Sequence, residues 1–466
     1  NPDIMTIKNQ KLELLMPAGD MEKLKFAYAY GADATYVGAP MFSLRARTNA
    51  FNMQTLQEAV DYAHNLGKKI YFTANIYAHN VKIKPFLAQF KKMYEMKPDA
   101  FIMADPGLIY LVKQEFPDAV IHLSVQANNT NWAQAKFWES LGIERIILSR
   151  EISIKEMKEI HEAVPNMELE AFCHGAICMA YSGRCLISNY LSNRDPNQGT
   201  CSHSCRWEFK VFKDEKSEAE LETVTGRPEE YEELTGNFYL EEKERPGHLM
   251  EIDEDEYGTY LMNSRDLCAI DYIKEMKEAG IISFKVEGRN KTVNYIASVG
   301  RAYKEALDKV EAGEDYDVEK LSEELFSIAN RGYIPGFLAG NPGANAQFYE
   351  RNGGFQTKIF LGIIRNFDEK NKLSRIEVKN KFEIGDEIEI VTPEGIYKSK
   401  VETIKKITTA NKSTRKEGFR PNEYIPELSE DATSAHGGGY EVWINMDKNY
   451  GDFAIIRREA REGDSI

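Results

Sequence analysis

Cys178, Cys185, Cys201 and Cys205 fall within 28 residues, separated by gaps of six, fifteen and three, whereas the rest of the 466-residue chain holds only Cys173 and Cys268. Four soft thiolates that can converge on one point suit an iron-sulfur cluster or a tetrahedral zinc, because both hold sulfur where oxygen-preferring cations do not. Zinc sites usually contain two Cys-x2-4-Cys knuckles. Only Cys201 to Cys205 is knuckle-like here, and the gap between Cys178 and Cys185 is too wide, so zinc is the less favoured metal. Paired disulfides would need an oxidising compartment, and the N-terminal stretch NPDIMTIKNQKLELLMPAGD has no apolar signal-peptide core. A cluster in a cytoplasmic protein is the expectation, with zinc and disulfides as the alternatives.

The other candidates lie where short apolar runs end. Pro17, Ala18 and Gly19, then Arg45 and Arg47, Asn75, Ser124 and Gln126, Arg150, His174, and Glu287, Gly288 and Arg289 each follow such a run. Guanidinium groups bind carboxylate or phosphate through paired donors, so Arg45, Arg47, Arg150 and Arg289 are candidate anchors for an anionic substrate, with Asn75 and Gln126 beside them. A local salt bridge is the plainer reading of each. His174 and Glu287 are the candidate acid-base groups, and His174 and His203 flank the cysteines. Cys173 reads as an inert buried thiol, and Cys268 as a residue on the apolar face of a helix.

Several motifs fail. His161 and Glu162 begin a zinc-protease pattern, but Pro165 occupies the second histidine's place. Asp253, Asp255 and Gly258 resemble part of a calcium loop, yet Ser264 stands where its glutamate belongs. No nucleophile elbow, phosphate loop or dinucleotide fingerprint is present.

The elements that must position these residues alternate between short apolar runs and helical stretches over 12–289. Strand candidates are 12–16, 34–38, 69–75, 100–104, 120–124, 145–149, 169–173 and 284–288. Eight such units describe a (β/α)8 TIM-like barrel over 12–335, in which loops after the strands' C-terminal ends build the active site. Asp20 and Asn52 read as helix starts, and 264–280 as a helix ending in Gly280. An insertion at about 174–262 carries the cysteines and then an acidic loop. A Gly-, Pro- and Asn-rich linker at 336–354 leads to alternating segments at 355–460, a small antiparallel β-barrel.

The net charge of -15 argues against nucleic acid until it is located. Residues 214–256 hold 17 acids against four bases, so the remainder is nearly neutral. Lys405, Lys406, Lys412, Arg415, Lys416 and Arg420 form a basic segment suited to phosphate contacts or, more plainly, a solvated loop. With 42% hydrophobic residues and no long apolar run, no membrane span is expected.

The stretches ELLMPAGD, YVGAPMFSLRAR, AFCHGAICMAYSGRCLISNYLSNRDPNQGTCSHSCRW and FKVEGRNKTVNYIA resemble the collagenase-like peptidase family U-32, with all four cysteines of its HGAxC…YSGxC…NxGxCxxxCR signature in place. The resemblance covers nearly the whole chain and is nearest to the family's tRNA-hydroxylating branch. It implies a [4Fe-4S] cluster on Cys178, Cys185, Cys201 and Cys205, prephenate as co-substrate, tRNA as partner, an electron-transfer partner, and hydroxylation of a wobble uridine to 5-hydroxyuridine. A collagenase-like peptidase and a non-catalytic RNA-binding metalloprotein are the alternatives.

Overall fold

The computed structural model describes residues 11–44, 50–178, 180–181, 185, 187–192, 194–198, 201–202, 205, 212–213, 232–233, 238–241, 249–255, 258–260, 264–342, 355–407, 429–438, 440–461 and 464. Eight strands, β1 (Glu13–Pro17), β2 (Ala34–Gly38), β3 (Lys69–Thr73), β4 (Ala100–Met103), β5 (Ile121–Leu123), β6 (Arg145–Ile147), β7 (Glu168–Ala176) and β8 (Ile281–Val286), pair in parallel in that order. β8 pairs with both β7 and β1, which closes the barrel. Helices α1 (Met21–Ala29), α2 (Met53–Asn65), α3 (Asn80–Glu95), α4 (Pro106–Glu115), α5 (Trp132–Ser140), α6 (Ile154–Ala163), α7 (Ile273–Glu278) and α8 (Val293–Ala312) alternate with the strands.

Local chemistry starts these helices where it should. Asp20 accepts a hydrogen bond from the Lys23 amide at 2.8 Å, and Asn52 with Thr55 and Ser153 with Glu156 form reciprocal capping boxes. The strands read as apolar runs because their outward side chains, such as Leu14, Phe72 and Phe284, are buried beneath the helices.

Several of the inward side chains are charged. Glu13, Arg145, Glu170, Ser283 and Lys285 form one buried network. Arg145 Nη1 lies 2.5 Å from Glu13 Oε1 and 3.2 Å from Glu170 Oε2, and Lys285 Nζ lies 2.7 Å from Glu170 Oε1. Ser283 Oγ donates to Glu13 at 2.8 Å, and Tyr71 donates to the same carboxylate at 2.6 Å. Each buried charge therefore has an opposite partner and further hydrogen bonds, the condition under which burial is tolerated.

β7 departs from regular alternation. Lys285 pairs with Phe172 while the next residue, Val286, pairs with His174, so one residue bulges out at Cys173. His174 is thereby turned out of the inward set that Glu170 and Phe172 occupy. Gly175 follows at φ 104°, where a Cβ would lie 2.6 Å from the Glu287 carbonyl, so only glycine fits.

The stretch 264–280 is not one helix. Asp266–Cys268 is a strand antiparallel to the end of β7, and only Ile273–Glu278 is α-helical. Pairing with the β7 extension has overridden a helix-like local pattern. Cys268 is accordingly a strand residue, buried with its sulfur 3.6 Å from the Tyr303 hydroxyl.

After α8 and α9 (Val318–Phe326), the chain enters an eight-stranded antiparallel sheet. Its outermost strands, Ile396–Lys400 and Ser429–Ala432, do not pair with each other among the described residues. The sheet docks on α1, α8 and α9. Tyr30 donates to the carbonyls of Val391 (2.9 Å) and Phe453 (2.8 Å), and fully buried Arg457 reaches Glu324 (2.7 Å), Glu389 (2.9 Å) and Ser327 (3.0 Å).

Candidate active site at the barrel mouth

The cysteine loop leaves the C-terminal end of β7 and folds back over the barrel. Three serines tie it together. Ser188, buried on the short helix Ile187–Ser192, exchanges a hydroxyl contact with Ser202 at 2.9 Å and also accepts from the Ser202 amide at 2.9 Å. Ser192 donates to the Ser202 hydroxyl at 2.8 Å. Because Ser202 adjoins Cys201 and the helix begins just after Cys185, these bonds hold two cysteine segments side by side. Asn197 Nδ2 donates to the Cys185 carbonyl at 3.3 Å, and the Asn197 carbonyl accepts from the Tyr77 amide at 3.4 Å, which docks the loop on the β3 side of the mouth.

Beneath the loop lies one cavity. Its lining includes Cys178, Cys185, Cys201 and Cys205 together with Asn75, Ser124, Gln126, Arg150, Phe172, Tyr181, Lys285, Glu287 and Arg289. Six sequence candidates from four separate loops thus meet the cysteines, as expected for groups at the C-terminal ends of barrel strands.

None of the four loop cysteines is in a disulfide; two are exposed and two half-buried. Among the described residues, no three cysteine, histidine, aspartate or glutamate side chains converge on one ligating point. The thiols share a cavity without forming a finished coordination shell. Their donor chemistry, four sulfurs lining one cavity, fits a thiolate-bound metal group.

Arg150 Nη2 lies 3.6 Å from Glu287 Oε2, and its guanidinium stacks 3.8 Å from the centre of the Phe172 ring. Arg150 Nε is buried with no hydrogen-bond partner. Arg289 donates to Thr73 Oγ1 at 3.2 Å and to the Leu44 carbonyl. Gly19 packs so closely on the Arg289 carbonyl that a Cβ there would overlap it, which gives the PAGD turn its geometric role. Asn75 donates to Ser124 Oγ at 3.1 Å and accepts from the Leu44 amide at 3.1 Å. The Gln126 carbonyl accepts from Tyr77 at 2.7 Å.

Other candidates lie elsewhere. His174 does not line the cavity: the β7 bulge sends its ring against Tyr303, 3.3 Å from the hydroxyl, and against Tyr295 and Tyr333. Burial pushes its imidazole down to about 3, and Nε2 has no partner, so it is a neutral core residue rather than an acid-base group at the mouth. Burial raises the Cys173 thiol well above its ordinary value and the Cys268 thiol to about 11, which leaves both unreactive. Arg45, Arg47 and His203 lie outside the described residues, as do Lys412, Arg415, Lys416 and Arg420 of the basic segment and most of the acidic loop. Lys405 is described and pairs loosely with Asp431 at 3.8 Å.

Lys285 and Glu170 were not among the sequence candidates. The available signal was the alternation of Ser283 and Lys285 on β8 with Glu287 just beyond it, which puts polar side chains on the inward face.

The profile of Peptidase family U32 matches residues 19–348, and that of the Peptidase family U32 C-terminal domain matches residues 356–457. The tRNA hydroxylation protein P of Escherichia coli (strain K12) is 42% identical over 466 residues, covering 96% of this chain and 97% of its own length. The 23S rRNA 5-hydroxycytidine C2501 synthase of the same organism is 32% identical over 307 residues, or 66% of this chain and 41% of that protein. The collagenase of Porphyromonas gingivalis (strain ATCC BAA-308 / W83) is 28% identical over 438 residues, covering 89% and 97%. No helix among the described residues is long and apolar enough to cross a membrane.

Proposed function

The chain belongs to peptidase family U32, and from that premise we propose that it is an RNA-modifying hydroxylase, converting a wobble uridine of tRNA to 5-hydroxyuridine with an iron-sulfur cluster and prephenate. The observation that carries this reading is the barrel-mouth cavity whose lining brings four cysteines, none in a disulfide, together with Arg150, Glu287 and Arg289. The relatives named for tRNA hydroxylation and for rRNA 5-hydroxycytidine synthesis support it.

Replacing C5–H by C5–OH is a two-electron oxidation, so the site needs a redox centre beside an oxygen donor and a displaced base. Cys178, Cys185, Cys201 and Cys205 would hold a [4Fe-4S] cluster, which supplies the one-electron chemistry that protein side chains lack. Arg150 binds a prephenate carboxylate through the N–H donors of a guanidinium that Glu287 and Phe172 hold in place, and Arg289 closes the β8 side. Asn75 and Gln126 offer polar edges to the base, and the basic segment that begins at Lys405 meets the tRNA backbone.

A peptidase requires an activated nucleophile or a metal-bound water with a base. The two thiols outside the cluster loop are buried and unreactive, which favours the hydroxylase reading over that of the collagenase relative. The test is to express the chain in a cell deficient in 5-hydroxyuridine and measure the nucleoside in purified tRNA. Restoration, lost with Cys178→Ala, is expected. No restoration, with gelatin cleaved equally by both proteins, overturns the proposal.

A further inference from the structure

We infer that Lys285, with Arg150, forms a two-point anion anchor in the cavity wall, and that the small-molecule ligand of this site is a dianion with one acidic group held by each cation. The inference deepens the prephenate reading and rests on it for the identity of the ligand, but the anchor follows from the geometry.

Phe172 is the common element. The Arg150 guanidinium lies 3.8 Å from its ring centre and Lys285 Nζ lies 5.6 Å from the same centre, so one aromatic ring contacts both cations. Tyr36 flanks Lys285 from the other side, at 4.5 Å. Both cations line the cavity, and each is tethered from behind by a carboxylate: Arg150 by Glu287 at 3.6 Å and Lys285 by Glu170 at 2.7 Å.

Neither tether uses up the donors it holds. The ammonium has three N–H groups and its hydrogen bond goes to Glu170. The Arg150 Nε is buried without a partner, an arrangement that is costly unless a ligand completes it. Glu170 is itself bonded to Arg145 and Ser283 and so belongs to the barrel interior. That network places Lys285 from below, and Lys285, only 4% exposed, is also part of the cavity lining. Burial pulls the ammonium below its ordinary pKa, and the Glu170 carboxylate opposes this.

A monoanion satisfies one cation and leaves the other desolvated as it fills the cavity, whereas a dianion satisfies both. Selectivity for two acidic groups therefore belongs to the pair of cations, not to either alone.

The experiment measures equilibrium binding of prephenate, malonate and the monocarboxylate phenylpyruvate to the full-length chain kept free of oxygen, in wild type, Lys285→Met and Lys285→Arg. Glu170 keeps Arg145 and Ser283 in Lys285→Met, so no buried carboxylate is left alone. If that variant nevertheless melts early, Glu170→Gln/Lys285→Met removes both charges together and replaces it. The expected result is that Lys285→Met weakens both dicarboxylates by about tenfold or more, affects phenylpyruvate several-fold less, and is partly rescued in Lys285→Arg. Prephenate binding unchanged by Lys285→Met overturns the anchor and leaves the co-substrate reading intact. Malonate binding that depends on Lys285, without any prephenate binding, upholds the anchor and removes prephenate. Binding of neither dicarboxylate to wild type overturns both.

Discussion

Arg150, just beyond β6, and Glu287, just beyond β8, face each other across the barrel mouth with Nη2 3.6 Å from Oε2, too far for a hydrogen bond and close enough for an ion pair. The carboxylate thus orients the guanidinium without saturating it, while Phe172 supports its flat face. Arg150→Met should lower 5-hydroxyuridine formation by at least about tenfold, as loss of a charged ligand contact does. Glu287→Gln should cost less, since the ring stack persists. Initial rates on unmodified tRNA check this, and a larger loss in Glu287→Gln would mean that the carboxylate itself takes part in the chemistry.

The serine knot makes a separate prediction. Ser188 joins the Cys185 and Cys201 segments but contributes nothing to the barrel core. Ser188→Val should reduce iron content per chain while leaving the melting temperature within a few degrees of wild type. Full iron content in the variant would show that the loop is held by other means.

Arg145 bridges Glu13, Glu168 and Glu170 inside the barrel. Arg145→Met leaves buried carboxylates facing one another, and denaturant unfolding should show a loss of about 3–5 kcal/mol. The double replacement with Glu13→Gln should recover part of that loss, because the carboxylate left uncompensated goes with it while Glu170 keeps Lys285.

Acid sensitivity should begin earlier than carboxylates alone dictate. Burial holds His174 at about 3 and His122 well below the ordinary 6.5. Between those values the unfolded chain takes up protons that the folded chain refuses, so this stabilisation is complete above pH 6.5 and lost as pH falls, by up to about 1.4 kcal/mol per pH unit for each histidine. Burial alone would raise the Glu13 carboxyl, but Arg145 and the bonds from Tyr71 and Ser283 hold it below 4.5, which adds a second loss at lower pH. His174→Phe should flatten the dependence of unfolding free energy on pH between 4.5 and 6.5. An unchanged slope would contradict the burial of a neutral imidazole.

Much of this was legible in the chain. The eight barrel strands stood out because doubly covered strands are continuous apolar runs, and the four cysteines stood out because thiols so spaced have few other uses. Lys285 and Glu170 were hidden by the same rule: charges inside a strand suggest an exposed face until closure of the barrel shows that face to be the interior. His174 was misplaced by a one-residue bulge at Cys173, which no local pattern announces and which turns its side chain away from the inward face. Cys268 was misplaced because DLCAIDYIKEMKEAG has helical spacing, and only its pairing with the β7 extension makes its first residues a strand.

The central claim is that the cysteines of the barrel-mouth loop bind a redox cluster. Iron, sulfide and zinc should be measured with the visible absorption spectrum on protein purified without oxygen, in wild type and Cys201→Ala. About four irons and four sulfides per chain, lost in the variant, are predicted. Stoichiometric zinc without sulfide would contradict the hydroxylase account and identify the loop as a structural metal site.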